Sequence, residues 1–444
     1  MKLALVSRYV WPLLIALLLL LPLTLIEGKI NERRERRDSV ATELAQTGVG
    51  TQQLTGPVLV LPCRERYRES RENDSGKFIT VESSRDCTAR FVATNLQISG
   101  AMETDVRMRG IYRVLFYGAA LTITGQFDVP DPPGAAADVI ARTYFVPELR
   151  IGVADVRGIS DARLQWDGQA QTFIPGANEA ALGSGIHALL GHGLASKPNA
   201  FRLTFALRGT RSIDFVPLAR NTHVSLAGQW PHPSFLGRFL PTTRRVTERG
   251  FTADWKVSDL ASDAPRAYLA CRGNECSSMH AERFGVALIE PIDVYVQSQR
   301  AVSYGFLFVG LTFLVFLLLE LIAALRVHPM QYMLVGLALA VFFLLLFALA
   351  EHMTFALAYV IAAIACIALI TFYVSHLLRS PRRAAVFSTY LVALYGALYM
   401  LLHSEDDAML LGALLVFAML TVTMVLTRRM DWFGMGAVAL RADG

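Results

Sequence analysis

Within residues 49–300 apolar and polar residues alternate in short runs punctuated by glycine and proline; on either side the alternation gives way to unbroken apolar stretches. The segments "FVATNLQISG", "VRMRGIYRVLFYGAALTITGQF", "RTYFVPELRIGVADV", "ARLQWDGQAQTF", "FRLTFALRGTRSIDFVPL", "THVSLAGQW" and "GFTADWKVSDL" carry the period of two that places one strand face on a core and the other in water. Turn chemistry ("DVPDPPGAAAD", "FIPGANE", "QWPHPSF") separates them, and the helix candidates are "DPPGAAADVIARTY" and the small-residue run near Ala180. An antiparallel β-sandwich-like domain follows, in one lobe or two.

The flanks read differently. Tyr9–Ile26 carries no charge and, at about 1.5 Å per residue, crosses the roughly 30 Å of bilayer hydrocarbon. No small-residue cleavage site follows it, so it reads as a retained anchor. After residue 300 the apolar block divides into five spans, near 302–325, 331–350, 354–378, 386–402 and 408–427. The predicted organisation is a tip and anchor (1–27), a charged helical stalk (28–48), an extracytoplasmic β-rich domain (49–300), a five-helix bundle (301–430) and a tail (431–444). The 444 residues are 53% hydrophobic and only 18% charged, which excludes an ordinary soluble protein.

Six crossings put both termini on one side, and the bases choose which. Lys2, Arg8, Arg326, Arg379, Arg382, Arg383, Arg428, Arg429 and Arg441 share one set of ends and connections; the other short connections carry Glu351 and the "SEDD" run but no Lys or Arg. The basic set is expected in the cytoplasm and the β-rich domain outside, which in a Gram-negative cell is the periplasm. The stretch "EGKINERRERRD" breaks the pattern, with Lys29, Arg33, Arg34, Arg36 and Arg37 on the outer side. Its interleaved acids soften the exception, since Glu32 with Arg36 and Arg34 with Asp38 stand four apart on a helix. The overall excess of +5 is dispersed without a basic stripe, which argues against nucleic acid.

Four of the five cysteines lie in the alternating region, an even number that suits an oxidising compartment. Cys271 and Cys276 flank "RGNE" and can bridge locally, leaving Cys63 to Cys87; a four-cysteine zinc site is the competing reading, although neither pair has the usual two-residue spacing.

No catalytic motif emerges. His187 and His192 lie in the Gly-rich "GSGIHALLGHGL", without H-E-x-x-H, and Ser184 lacks the outer glycines of a nucleophile elbow; a structural or surface role fits better than a metal. Trp230, His232 and Phe235 form a rigid turn whose aromatic residues suit core packing better than a partner. Inside the spans, Glu320 is the conspicuous acid, and His376 should lie at similar depth, so the two are a candidate intramembrane polar pair; snorkelling or a neutral hydrogen-bonded carboxyl is the plainer alternative. Glu405, Asp406 and Asp407, near Glu351 and His352, are a candidate outer acidic cluster, more simply a solvated loop than a cation site.

The ordered strings "RGIYRVLFYGAALTITGQF", "WPHPSFLGRFLPTTRRVTERGFTADWKVSDL", "FGVALIEPIDVYVQSQRAVSYGFLFVGLTFL", "RVHPMQYMLVGLALAVFFLLLFALAEH" and "HSEDDAMLLGALLVFA" resemble the CreD family of bacterial inner-membrane proteins. The resemblance runs from the anchor to "TRRMDWF". It implies a cell-envelope-integrity protein linked to the Cre two-component system, with no catalytic residues and no cofactor to carry over. Its expected partners are the lipid bilayer and an unidentified envelope protein or glycan. The alternatives are an ion- or proton-linked transporter using Glu320 and His376, and a periplasmic hydrolase.

Overall fold

The alternating region builds two sheets. In the computed structural model, which describes residues 11, 14–72, 78–110, 112–129, 138–191, 198–271, 276–290, 294–322, 327–378, 381–404 and 407–428, the first sheet has nine strands. Its path is β14 (Pro233–Gly237), β17 (Phe284–Leu288), β12 (Ser212–Val216), β1 (Gln52–Glu72), β6 (Glu148–Val153), β10 (Gly185–Leu189) and β9 (Phe173–Pro175), with β2 (Phe78–Val92) and β5 (Val139–Tyr144) joined to β1. The second has eight: β15 (Thr243–Thr247), β16 (Gly250–Ser258), β13 (Asn221–Gly228), β3 (Asn95–Arg109), β4 (Tyr112–Phe127), β11 (Asn199–Thr210), β7 (Ile159–Trp166) and β8 (Gln169–Gln171).

Two pairings depart from the antiparallel expectation: β1 runs parallel to β12, and β13 parallel to β3. The chain changes sheets at Arg211 instead of turning back, so β12 enters beside β1 in the same direction. One core draws on both sheets, with Leu59, Ile151, Phe215 and Phe284 from the first and Ile98, Ile123, Leu203 and Trp255 from the second. The rings of Trp255 and Phe284 meet across it at 5.7 Å.

β1 does not alternate where it is deepest. Leu59 faces that core, while Val58 and Val60 belong to a second, smaller cluster with Tyr268 and Met279. These last come from α2 (Ala264–Ala270) and α3 (Ser277–Ala281), so the strand is covered on both faces and its run "PVLVLP" is apolar throughout. Neither helix was expected. Conversely, the helix expected over "DPPGAAADVIARTY" is strand at Val139–Tyr144, where pairing with β1 overrides local propensity, and residues 130–137 lie outside the described residues. The run near Ala180 is a single 3₁₀ turn, Ala180–Leu182.

β1 and β2 form a long hairpin in continuous register from Val58↔Val92 to Glu72↔Phe78. Cys63 stands directly opposite Cys87, and the two are disulfide-bonded with a Cα separation of 4.8 Å. Beyond them the hairpin is largely exposed, ending at Phe78, which is 74% accessible. The second disulfide, Cys271–Cys276, joins the end of α2 to the start of α3.

Among the described residues, six helices are long and apolar enough to cross a membrane. They are α1 (Leu20–Thr47), whose candidate span starts at Leu14, α4 (Val294–Ile322), α5 (Pro329–Ala350), α6 (Phe355–Leu378), α7 (Pro381–His403) and α8 (Ala408–Thr427). The chain divides into two compact units: Met1–Asp38 with Ile292–Gly444, and Ser39–Pro291. Within the helical unit α4 packs on α5 and α7, α5 on α6, and α6 on α7. Phe308, Phe342 and Tyr395 form an edge-to-face aromatic centre, Tyr395 lying 4.6 and 4.8 Å from the two phenylalanine rings.

Candidate functional site

The anchor docks through one face. Ile15, Leu19, Leu23, Ile26 and Ile30 are buried at steps of three or four residues, the spacing of a helical stripe. Two glycines receive it: a Cβ at Gly336 would collide with the Leu19 side chain, and one at Gly305 would press on Leu23 and Phe343 at 3.2 Å each. Small residues let membrane helices approach closely, and here they turn the first span into part of the bundle.

Just past that face, four of the five anomalous bases, Lys29, Arg33, Arg34 and Arg37, have partners. Lys29 pairs with Glu32 at 2.7 Å, Arg33 reaches Glu351 at 3.8 Å, and Arg34 donates to the Gln299 side chain at 3.5 Å. Arg37 pairs with Asp38 at 3.0 Å and lies over the Tyr295 ring, 5.5 Å from its centroid. The Tyr295 hydroxyl in turn donates to Glu351 at 3.5 Å. Long, partly exposed ion pairs contribute little stability, about 0–1 kcal/mol each. Their information is positional: residues 33–37, the first turns of α4 and the end of α5 share one end of the bundle.

Glu320 is buried and accepts a hydrogen bond from the Tyr332 hydroxyl at 2.8 Å, with the Val327 N–H at 3.5 Å. The carboxylate therefore ties α4 to the first turn of α5. His376 has different surroundings. It is exposed, its Nδ1 lies 3.2 Å from the Phe372 carbonyl, its ring packs on Phe372, and among the described residues none of its contacts is with Glu320. Asp407 is exposed just before α8, its N–H donating to Ser404 Oγ; Glu405 and Asp406 lie outside the described residues. No cluster of three metal-ligating side chains occurs among the described residues.

The β-rich unit gathers its charges into networks. Glu179 meets Arg90 at 2.7 Å and Arg150 at 3.0 Å, and Arg150 also pairs with Glu148 at 2.9 Å. Glu65 joins Arg85 and Arg142, and the Arg85 hydrogen bond, then that of Arg142, holds its carboxyl below the usual range. Two arginines fasten the end of α1: Arg109 pairs with Glu43 at 2.8 Å, and Arg157 donates to the Gln46 carbonyl at 2.7 Å. Arg157 also forks onto Asp155, and this hydrogen bonding lowers the Asp155 carboxyl to about 2.

His187 is buried, with Nδ1 2.6 Å from the Gly176 carbonyl and Nε2 3.3 Å from Asn178, a structural placement; His192 lies outside the described residues. Trp230 and Phe235 pack against the main core, the Trp230 N–H donating to the Ile289 carbonyl, and His232 meets the Trp230 ring edge-on.

The order of anchor, two-sheet domain and five spans has a counterpart among known proteins. The family model described as "Inner membrane protein CreD" matches residues 4–433. The inner membrane protein CreD of Escherichia coli is 35% identical over 429 residues, covering 96% of this chain and 93% of that one. The chain belongs to the CreD family. It is thus a multi-pass protein of an inner-membrane family, with a β-rich domain between its first span and the other five. The likeness to solved structures is slight. An M1 zinc metallopeptidase from Deinococcus radiodurans is 10% identical, with 37% of this chain and 38% of that one covered at a TM-score of 0.20. Leukotriene A4 hydrolase from Saccharomyces cerevisiae is 10% identical, with 38% and 27% covered at 0.22. Likeness so slight carries nothing about this CreD chain.

Sequence reasoning missed Tyr332 as the partner of Glu320, and Glu351 with Tyr295 as partners of the stalk bases. The signal for Tyr332 was weak but present: a tyrosine three residues into a span, following the helix-starting "HPMQ".

Proposed function

We propose that this protein is a non-catalytic envelope-integrity protein. Its β-rich unit lies on the periplasmic face of the inner membrane, both termini are cytoplasmic, and the domain engages envelope proteins or glycans close to the bilayer. One observation carries the reading: among the described residues one candidate span precedes the domain and five follow it, an even total that puts both termini on one side of a bilayer and the domain on the other. The double tether confines the domain near that surface and raises its effective concentration for whatever is there. The arginines that break the charge rule support the same sidedness, because Glu351, Asp38 and Tyr295 engage two of them; the paired cysteines suit an oxidising compartment.

The test is a pair of reporters joined after Gly228, one working only in the periplasm and one only in the cytosol. The periplasmic reporter is expected to be active and the other silent; the reverse sinks the proposal. Crosslinking of the full chain in cells then asks for the same envelope protein or glycan in repeated captures.

The buried Glu320 favours a second reading, an ion- or proton-linked transporter. Its bonds to Tyr332 and Val327 fit equally a carboxyl that fastens a short turn. Proton or ion flux through the chain reconstituted in liposomes, abolished by Glu320→Gln, would establish transport; flux unaffected by that change would remove Glu320 from it.

A further inference from the structure

The β-rich unit contains an open cleft of about 520 Å³ between the last turns of α1 and the connections β6–β7 and β11–β12. Its charges do not balance. The Arg157 guanidinium is engaged with Asp155, at 2.9 and 2.7 Å, and with the Gln46 carbonyl. Arg211 is exposed, and among the described residues its side chain has neither a hydrogen bond nor an ion pair. The cleft therefore carries one uncompensated positive charge.

Its polar wall is also incomplete. Thr210 lines the cleft at 2% accessibility, and its hydroxyl has no hydrogen-bond partner. A buried hydroxyl left in this way is uncommon, because the lost hydration is not replaced. The exposed side chains of Gln46 and Thr51 add an amide and a second hydroxyl.

The backbone makes the presence of Arg211 more pointed. It sits at φ 63°, in the left-handed region where a side chain is strained and glycine is not. Neighbours hold it there: the Thr210 N–H donates to the Gly50 carbonyl at 3.0 Å, and the Leu288 N–H donates to the Arg211 carbonyl at 2.8 Å. The crossover between the two sheets fixes this geometry, and glycine would meet it without strain. The chain instead carries a long cation, whose guanidinium is unspent.

We propose that this cleft binds a small ligand bearing a carboxylate or phosphate on a hydroxylated body, with Arg211 pairing the anion, the Thr210 hydroxyl hydrogen-bonding it, and Gln46 and Thr51 meeting the hydroxyls. Charge-assisted contacts of this kind, strongest when the guanidinium forks onto two oxygens, are what an arginine offers over a neutral donor. The site goes beyond the proposed envelope role and stands without it.

The experiment is calorimetric titration of the full chain in detergent micelles with glucose 6-phosphate, glucuronate and, as the neutral control, glucose. At least one anionic sugar is expected to bind saturably, with glucose weaker by about tenfold or more. A preference between the two anions distinguishes a phosphate site from a carboxylate site. Arg211→Gly should lose about tenfold or more in affinity while melting no lower than the parent, because glycine suits the backbone there. Arg211→Gln, which removes the charge and keeps a polar side chain, should lose binding similarly, and Arg211→Lys should fall between. Thr210→Val should weaken binding by a smaller factor. The proposal is overturned if neither anion binds saturably, if glucose binds as tightly, or if both the glycine and glutamine variants bind as the parent does.

Discussion

Glu179 in the β-rich unit and Glu320 among the helices are both almost wholly buried, but they are stabilised in different ways. Glu179 lies between the guanidiniums of Arg90 and Arg150, whereas Glu320 receives a tyrosine hydroxyl and a backbone N–H. The difference follows from the surroundings. A sandwich can bring several ions together near its surface, where partial hydration lowers the cost of each. Within a span every added ion is expensive, so a neutral donor is the cheaper companion for a carboxylate. The same contrast extends to packing: the sandwich closes over large side chains such as Trp255 and Phe284, while the bundle admits the anchor through Gly305 and Gly336.

The sharpest way to break this comparison is to remove the central carboxylates. Glu179→Ala should destabilise the domain by about 2–4 kcal/mol, since Arg90 and Arg150 each lose a charged partner and keep only the Cys271 and Asn178 carbonyls and Glu148; denaturant unfolding of the full chain followed by the domain's tryptophan fluorescence reads it. Among the helices, Tyr332→Phe should cost about 1–3 kcal/mol, because it takes the hydroxyl donor away from a buried carboxyl. Glu320→Gln, which keeps an acceptor for Tyr332, should cost less than Tyr332→Phe under the same detergent unfolding; the opposite order would mean that the charge itself matters more than the bond. Gly336→Ala should then loosen the anchor by about 1–2 kcal/mol through overpacking against Leu19, seen as faster proteolysis of the first span.

The smallest effect is a titration. The folded pKa of Asp155 lies below its ordinary value, so its contribution to stability is complete above about pH 4 and fades as the pH falls toward 2. Asp155→Asn should flatten the stability profile in that window and sit below the parent by a constant amount near neutrality, where the carboxylate's contribution is full.

Much of this architecture is legible in the chain because it rests on periodicity. Alternation marks strands such as β11, continuous apolar runs mark the spans, and the even set of cysteines in the alternating region suggests two bridges without fixing their pairing. What escapes depends on pairing at a distance. The Val139–Tyr144 strand exists because β1 offers an edge, and the parallel β1–β12 contact exists because the chain changes sheets. α2 was readable in principle, since Pro265 stands in its first turn, but at seven residues its period is too short to stand out. For the candidate site, Glu320 was visible as an acid in a greasy run, and the stalk bases were visible as an exception to a charge rule. Their partners, Tyr332 and Glu351, were ordinary residues until folding brought them near.

The covalent crosspiece between Cys63 and Cys87 divides the β1–β2 hairpin into a rooted part and an outer part that β5 borders only as far as Tyr67. Whatever grips the tip at Phe78 can peel the two strands apart only as far as that rung. Beyond it, a pull is shared by both strands and passes into the nine-stranded sheet, so the projecting arm transmits load as a single rod.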